Sequence, residues 1–171
     1  MKYKISPSHK ADRRAIERIT RATGAFEGDE LAAPAELFDE YWENPDDPDG
    51  YRFLSCRAGG KTVGFACFGK ADFTAGTYDL YWIAVHPEHF GSGAARALFA
   101  STIEAVCSEG GRLLMIWTSS RPDYARARRF YESVGCALEA TIADFYRPGE
   151  AACIYSYRID ASASGRFGQP E

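Results

Sequence analysis

The stretch Tyr78-Asp79-Leu80-Tyr81-Trp82-Ile83-Ala84-Val85-His86-Pro87-Glu88-His89-Phe90-Gly91-Ser92-Gly93-Ala94-Ala95-Arg96-Ala97-Leu98 decides how the whole chain is read. Its first part belongs to a strand-like run, Thr77 to Val85, rich in aromatic and apolar side chains and closed by Pro87. Its last part opens a helix on which Ala95, Leu98, Phe99, Ile103 and Val106 line one face. Between them, small residues at 91, 93, 94 and 95 let the backbone turn and expose several N–H groups at a helix N-terminus, where the helix dipole adds positive potential. Such a turn suits a phosphate, although Gly-x-Gly before a helix also serves as an ordinary tight turn. The run is not a P-loop, for it lacks Gly-Lys-Ser/Thr, nor a dinucleotide fingerprint with an acidic residue about 20 positions on.

Upstream, Tyr51 to Cys56 and Thr62 to Phe68 are strand-like and are joined by Ala58-Gly59-Gly60-Lys61, whose glycine pair supplies the positive φ of a tight hairpin. Lys2 to Ile5 alternates weakly as a short first strand. Ala15, Ile16, Ile19, Ala22 and Phe26 recur at helical spacing, and Leu37, Phe38, Tyr41 and Trp42 give the apolar stripe of a second helix over Leu31 to Trp42. The run Asn44-Pro45-Asp46-Asp47-Pro48-Asp49-Gly50 ends it as a turn. Downstream, Gly110-Gly111 stops the central helix, Leu113 to Thr118 reads as a buried strand, and Asp123 is the expected N-cap of a helix ending at Gly135. Ala137 to Ile142 and Ala152 to Ile159 complete the set. The order β, α, α, β, β, β, α, β, α, β, β predicts one α/β (α+β mixed) domain over residues 1–160 with helices packed on a mixed sheet, not a doubly wound parallel fold. The small, polar stretch 161–171 is expected to be a mobile tail.

With 171 residues and 46% hydrophobic side chains, the chain can bury the core of one domain. No window is apolar enough for a membrane span, and Met1 to Lys10 is too polar for a signal peptide, so a cytoplasmic location is expected. Five cysteines without CxxC spacing read as reduced thiols in or near the core. A net charge of -4 argues against a broad nucleic-acid surface. The basic cluster Arg121, Arg126, Arg128 and Arg129 is open to two readings, a solvated helix face or a local anchor for a phosphorylated small ligand. His9, His86 and His89 have no metal-ligand spacing, so no metal is expected.

A second motif lies about one strand further on: Ala127-Arg128-Arg129-Phe130-Tyr131-Glu132-Ser133-Val134-Gly135. Taken with Val85-His86-Pro87 and Gly91-Ser92-Gly93, it resembles the GNAT superfamily of N-acetyltransferases, and the order of strands and helices fits over nearly the whole chain. Thr118 to Tyr124 and Asp144 to Gly149 look like a bacterial subgroup of unassigned substrate. The resemblance implies a twisted, mostly antiparallel central sheet flanked by helices. It also implies transfer of an acetyl group from acetyl-CoA to a primary amine by direct attack. Ile83, Ala84 and Val85 would present strand-edge groups to the acetyl-pantetheine arm, with the Val85 N–H polarising the thioester carbonyl. Gly91, Ser92, Gly93, Ala94, Ala95 and Arg96 would cradle the pyrophosphate. Tyr131 would protonate the departing thiolate, or else be a buried helix aromatic.

An amine of pKa near 10.4 must lose a proton before it attacks. Asp79, six residues before Val85, is the candidate base where some family members place a carboxylate; water, or a plain strand-start acid, are the alternatives. Phe26 and Glu27, with Asp29 and Glu30, fall where the family builds its acceptor wall, and Trp117 joins them as a candidate substrate contact; a solvated acidic loop is the other account of the carboxylates. Three positions depart from the pattern. Phe90 replaces the usual Arg or Gln and predicts rearranged CoA contacts, Trp117 replaces a glutamate base, and Tyr124 replaces an asparagine that touches pantetheine. These departures keep a second function open, a non-catalytic CoA- or acyl-CoA-binding sensor. A small-molecule or peptide amine is the expected partner, with no nucleic acid and no membrane, and a homodimer could form through the last two strands.

Overall fold

A computed structural model describes residues 3–44, 47 and 50–159. Along the chain run β1 (Lys4–Pro7), α1 (Arg13–Thr23), α2 (Ala33–Glu43), β2 (Arg52–Ala58), β3 (Lys61–Lys70) and β4 (Thr77–Val85). They are followed by α3 (Ala94–Ser108), β5 (Leu113–Ser119), α4 (Ala125–Ser133), β6 (Ala137–Arg147) and β7 (Glu150–Arg158). The order is the one the sequence predicts. Most of the acidic turn after α2 and the tail 161–171 lie outside the described residues.

The sheet has seven strands in the order β1-β2-β3-β4-β5-β7-β6. Every neighbouring pair is antiparallel except β4 with β5. Gly59 and Gly60, at φ 54° and 78°, make the β2–β3 turn, since two successive positive φ values match the strand twist at little cost only for glycine. β3 is buried from Thr62 to Gly69 because both faces of the sheet are covered. On one face α1 and α2 contribute Ile16, Ile19 and Phe38 against Phe53 and Phe65. On the other, α3 and α4 contribute Leu98, Phe99, Ile103, Val106, Tyr131 and Val134 against Leu80, Leu114 and Tyr155. Among the described residues no helix is long and apolar enough to cross a membrane.

Several boundaries differ from the sequence reading. β1 runs two residues further than expected, to Pro7. α1 stops at Thr23 because Gly24 adopts φ 68°, which leaves Phe26 beyond the helix and free to enter a cleft. Asp123 is not the cap of α4. A 3-10 turn, Pro122–Tyr124, precedes that helix, and the Asp123 carboxylate instead lies 3.5 Å from Arg121. β6 continues to Arg147 and β7 begins at Glu150, joined through Pro148 and a Gly149 of φ 82°. All residues of β6 are exposed, so it carries no apolar alternation by which a sequence reading could follow it past Ile142.

Candidate active site

The site begins where two parallel strands part. β4 pairs with β5 only from Thr77 to Leu80; beyond that, Trp82 to Val85 stays on β3 while β5 stays on β7, with which it pairs along its whole length. Tyr81 is an extra residue in the β3–β4 ladder, between the Cys67–Trp82 and Phe68–Leu80 pairs. A bulge of this kind bends the strand and reverses which face its side chains meet. Tyr78 and Leu80 therefore share the α3 face with Ile83 and Val85, while Trp82 and Ala84 meet the α1 and α2 face. Backbone N–H groups alternate between the two edges of a strand. The His86 N–H is bonded to Val63 O at 2.8 Å, so the Val85 N–H points the other way, into the opening that β5 has left. Gly64 lets the end of β4 sit there. A Cβ on it would lie 3.0 Å from both Ala84 O and Leu98 Cδ1.

At the end of β4 the chain turns through Gly91 and Gly93, at φ 71° and 89°, into α3. The first helical bond at this end is Ala97 N–H to Gly93 O at 2.9 Å, which leaves the N–H groups of Ala94, Ala95 and Arg96 without intrahelical acceptors. The turn is braced from β1's side. The Tyr3 hydroxyl donates to Ser92 Oγ at 2.7 Å and meets His89 Nδ1 at 3.1 Å, and Ser92 Oγ in turn donates to His89 O. Ser92 thus spends its side chain within the turn, whereas Gly91, Gly93, Ala94, Ala95 and Arg96 face the cleft. Phe90 also faces it, and the Arg126 guanidinium of α4 lies over its ring at 4.3 Å.

The cleft, of about 820 Å³, gathers Ile83, Ala84, Val85, the turn, Trp117, Tyr124 and Tyr131. Tyr131 is 7% exposed, its ring packs 5.7 Å from those of Phe130 and Tyr155, and among the described residues its hydroxyl has no hydrogen-bond partner. Burial first, then Cys136 and Tyr155, push its pKa well above the ordinary tyrosine value, so the hydroxyl keeps its proton at neutral pH.

The segment after α1 forms the far wall. Phe26 meets Trp82 edge-on at 4.9 Å and Tyr124 at 6.1 Å. The Tyr124 hydroxyl donates to Glu30 Oε1 at 3.1 Å, while Glu30 Oε2 accepts the Glu27 N–H at 3.0 Å. Arg121 ties the same segment down through Ala25 O at 3.2 Å and Glu27 at 3.3 Å. Glu27 is therefore a strut behind the wall and does not line the cleft, while Phe26 and Glu30 do. Trp117 stands 47% exposed at the mouth, 5.8 Å from Phe145.

Asp79 is the one expected catalytic residue that the fold sets apart from the others. It lines a second cavity of about 350 Å³ with Tyr51, Lys70 and Glu40, and among the described residues Tyr81 alone lines both cavities. Burial raises the Asp79 pKa, which makes it a stronger base than a surface carboxylate.

The sequence reading missed Glu150, which lies on the cleft floor and accepts from Ser119 Oγ and from Arg147 Nε, both at 2.5 Å. Those bonds hold it ionised, the Ser119 bond contributing most. The Pro148-Gly149 turn was the signal that would have placed it at a strand start facing β5. Among the described residues no three His, Cys, Asp or Glu side chains gather as a metal set.

The acetyltransferase (GNAT) family matches residues 16–136. A crystal structure of a GNAT-family acetyltransferase from Desulfovibrio desulfuricans is 37% identical, covers 93% of this chain and all of its own (100%), and superposes with a TM-score of 0.86. The ribosomal-protein-S18-alanine N-acetyltransferase of Escherichia coli is 23% identical over 93% of this chain and 95% of its own, with a TM-score of 0.72. The acetyltransferase YncA of Salmonella typhimurium, solved with its cofactor acetyl-CoA, is 20% identical over 99% of this chain and 98% of its own, also at 0.72. No curated protein matches the sequence.

Proposed function

We propose, for a chain that belongs to the acetyltransferase (GNAT) family, that the cleft between β4 and β5 moves the acetyl group of acetyl-CoA onto an amine by direct attack. The observation that carries this reading is the Val85 N–H, directed into the opening between two parting strands and in the same cleft as the Tyr131 hydroxyl. The residues fit acetyl-CoA. The free N–H groups at the start of α3 suit its pyrophosphate, and the unpaired edge Ile83–Val85 suits the amide-bearing pantetheine arm. When bound, acetyl-CoA supplies an activated thioester.

The Val85 N–H donates to the carbonyl oxygen as negative charge develops on it, an interaction typically contributing about 3–4 kcal/mol to lowering the barrier. The Tyr131 hydroxyl gives its proton to the CoA sulfur as the C–S bond breaks and the C–N bond forms. The proton shed by the amine leaves past Tyr81 toward Asp79 through water, because Tyr81 lines both cavities. The Glu30 carboxylate, set among the aromatic rings of Phe26, Trp82, Tyr124 and Tyr146, favours an acceptor that arrives as a cation. A small amine or a peptide amine both meet that description. All five cysteines are free, which fits a reducing cytoplasm, and the fully exposed β6 edge suits pairing of two copies as a homodimer.

The test is release of free CoA from acetyl-CoA with a mixed panel of primary amines. Amine-dependent release supports the transferase. Binding of acetyl-CoA with no release for any amine supports the binding-only sensor, and absence of binding removes both.

A further inference from the structure

The four arginines that the sequence groups together divide in the fold into two pairs with different work. Arg128 donates to Ser119 O at 2.5 Å and Arg121 O at 3.0 Å, and Arg121 clamps Ala25 O and Glu27. Both are structural. Arg126 and Arg129 line the cleft and, among the described residues, neither is held by a hydrogen bond or an ion pair. Arg126 is fixed in another way, its guanidinium lying 4.3 Å over the ring of Phe90, the residue just before the Gly91 turn. A cation–π contact of this kind commits no guanidinium N–H to an oxygen acceptor, so the donors of Arg126 stay available.

We infer that Phe90 is a platform that aims Arg126 at the pyrophosphate of CoA, so that the cation missing from the turn is supplied from α4 instead. The inference rests on the reading of this cleft as a CoA site. Three observations converge on it: an uncommitted guanidinium, an aromatic face that orients it, and the free N–H groups of Ala94, Ala95 and Arg96 in the same cleft. Arg96 itself is turned aside, its guanidinium 3.3 Å from Ser133 O. Phe90 is a positioning residue and Arg126 the binding residue.

The assay is calorimetric binding of CoA, 3′-dephospho-CoA, pantetheine and inorganic pyrophosphate to the native chain, Arg126→Ala, Phe90→Leu, and the double variant. Arg126→Ala is expected to weaken CoA, dephospho-CoA and inorganic pyrophosphate alike by roughly tenfold, the low end for a charge-assisted bond at an exposed site, and to leave pantetheine unchanged. Phe90→Leu keeps the bulk and removes the π face, and is expected to weaken the same three ligands by about threefold. The double variant then matches Arg126→Ala, since Phe90 acts through Arg126. A loss confined to CoA and absent from dephospho-CoA would assign Arg126 to the 3′-phosphate and overturn the inference, as would unchanged affinity or fully additive losses. If the native chain binds none of the CoA forms, the CoA reading itself fails; the pyrophosphate arm still judges Arg126, with loss of pyrophosphate binding in Arg126→Ala upholding the phosphate role and no loss ending it.

Discussion

Replacing Tyr131 by Phe removes one oxygen from a side chain whose ring is locked between Phe130 and Tyr155. Because the hydroxyl has no partner among the described residues, its loss leaves no buried donor or acceptor unsatisfied, and the melting temperature should stay within a degree or two of the native value. Catalysis should respond differently. A positioned acid contributes about 10²–10⁴-fold, so kcat should fall by that factor, roughly 3–5 kcal/mol of barrier, while acetyl-CoA binding changes less than about threefold. The pH profile gives a second reading. Burial raises the Tyr131 pKa above the usual tyrosine range, so native kcat should hold through mildly alkaline pH and fall only above about 10, where ordinary tyrosine titrates. That alkaline fall should vanish in Tyr131→Phe. Steady-state release of CoA against pH, with the best amine of the panel, measures both. A variant that keeps more than half of native kcat refutes the assignment of Tyr131 as the acid.

Asp79→Asn should slow kcat by about a hundredfold at neutral pH, the low end for a positioned base because the proton travels through water. Since burial raises the folded pKa of Asp79, its ionised form costs stability as pH rises through that range, so this variant should melt no lower than the native chain at pH 7; a lower Tm with unchanged kcat would make Asp79 structural. Gly64→Val must displace Ala84 O or Leu98, each 3.0 Å from the new Cβ, costing about 1–3 kcal/mol in urea unfolding and lowering kcat as the Val85 N–H moves. Unchanged kcat in a folded Gly64→Val protein would separate Val85 from catalysis. Asp12 is buried and accepts from Thr62 Oγ1, the His9 N–H, Ser55 Oγ and Arg57; burial pushes its pKa up, yet these partners together hold it below the usual value. A depressed folded pKa gives stability that is present above the unfolded pKa near 3.8 and lost as pH falls through the folded value, so Asp12→Ala should cost about 3–5 kcal/mol at pH 7 and far less near pH 2, by urea unfolding.

The part of the molecule that was legible in the sequence is the part where periodicity changes sharply. The switch from a near-continuous apolar and aromatic run to a helical period of 3.6 across Gly91 marks β4, the turn and α3, and with them the glycine-turn side of the cleft. The opposite side of the cleft was harder to read for a physical reason. It is assembled from segments without periodicity, namely the wall around Phe26 to Glu30 after Gly24, and an edge strand exposed on both faces that delivers Tyr146 and leads to Glu150. Nor does a sequence say how four clustered arginines divide. Arg121 and Arg128 meet backbone carbonyls, while Arg126 meets an aromatic ring more than thirty residues earlier. The free edge of β4 at Ile83 to Val85 was legible only through the family resemblance; the extra residue at Tyr81 against β3 left no mark in the sequence.

The three departures from the family pattern bear on whether this is a working enzyme or a relic that still binds CoA. A site drifting without use accumulates substitutions one at a time, with no reason for a neighbour to match each. Here every departure has a fitted partner. Phe90 carries Arg126 on its ring, Tyr124 reaches Glu30 at 3.1 Å, and Trp117 packs 5.8 Å from Phe145. The first pair restores a cation beside the Gly91 turn, and the second joins the two walls of the cleft. Trp117, where the resemblance implies a glutamate base, is the departure whose partner supplies no base, which is why the proposed exit through the second cavity turns on Asp79. If the proton leaves by that route, Tyr81→Ala, which removes the side chain that lines both cavities, should cost less activity than Tyr81→Trp, which enlarges it. The opposite order in kcat would close the Asp79 route and leave bulk water in the main cleft as the acceptor of the proton.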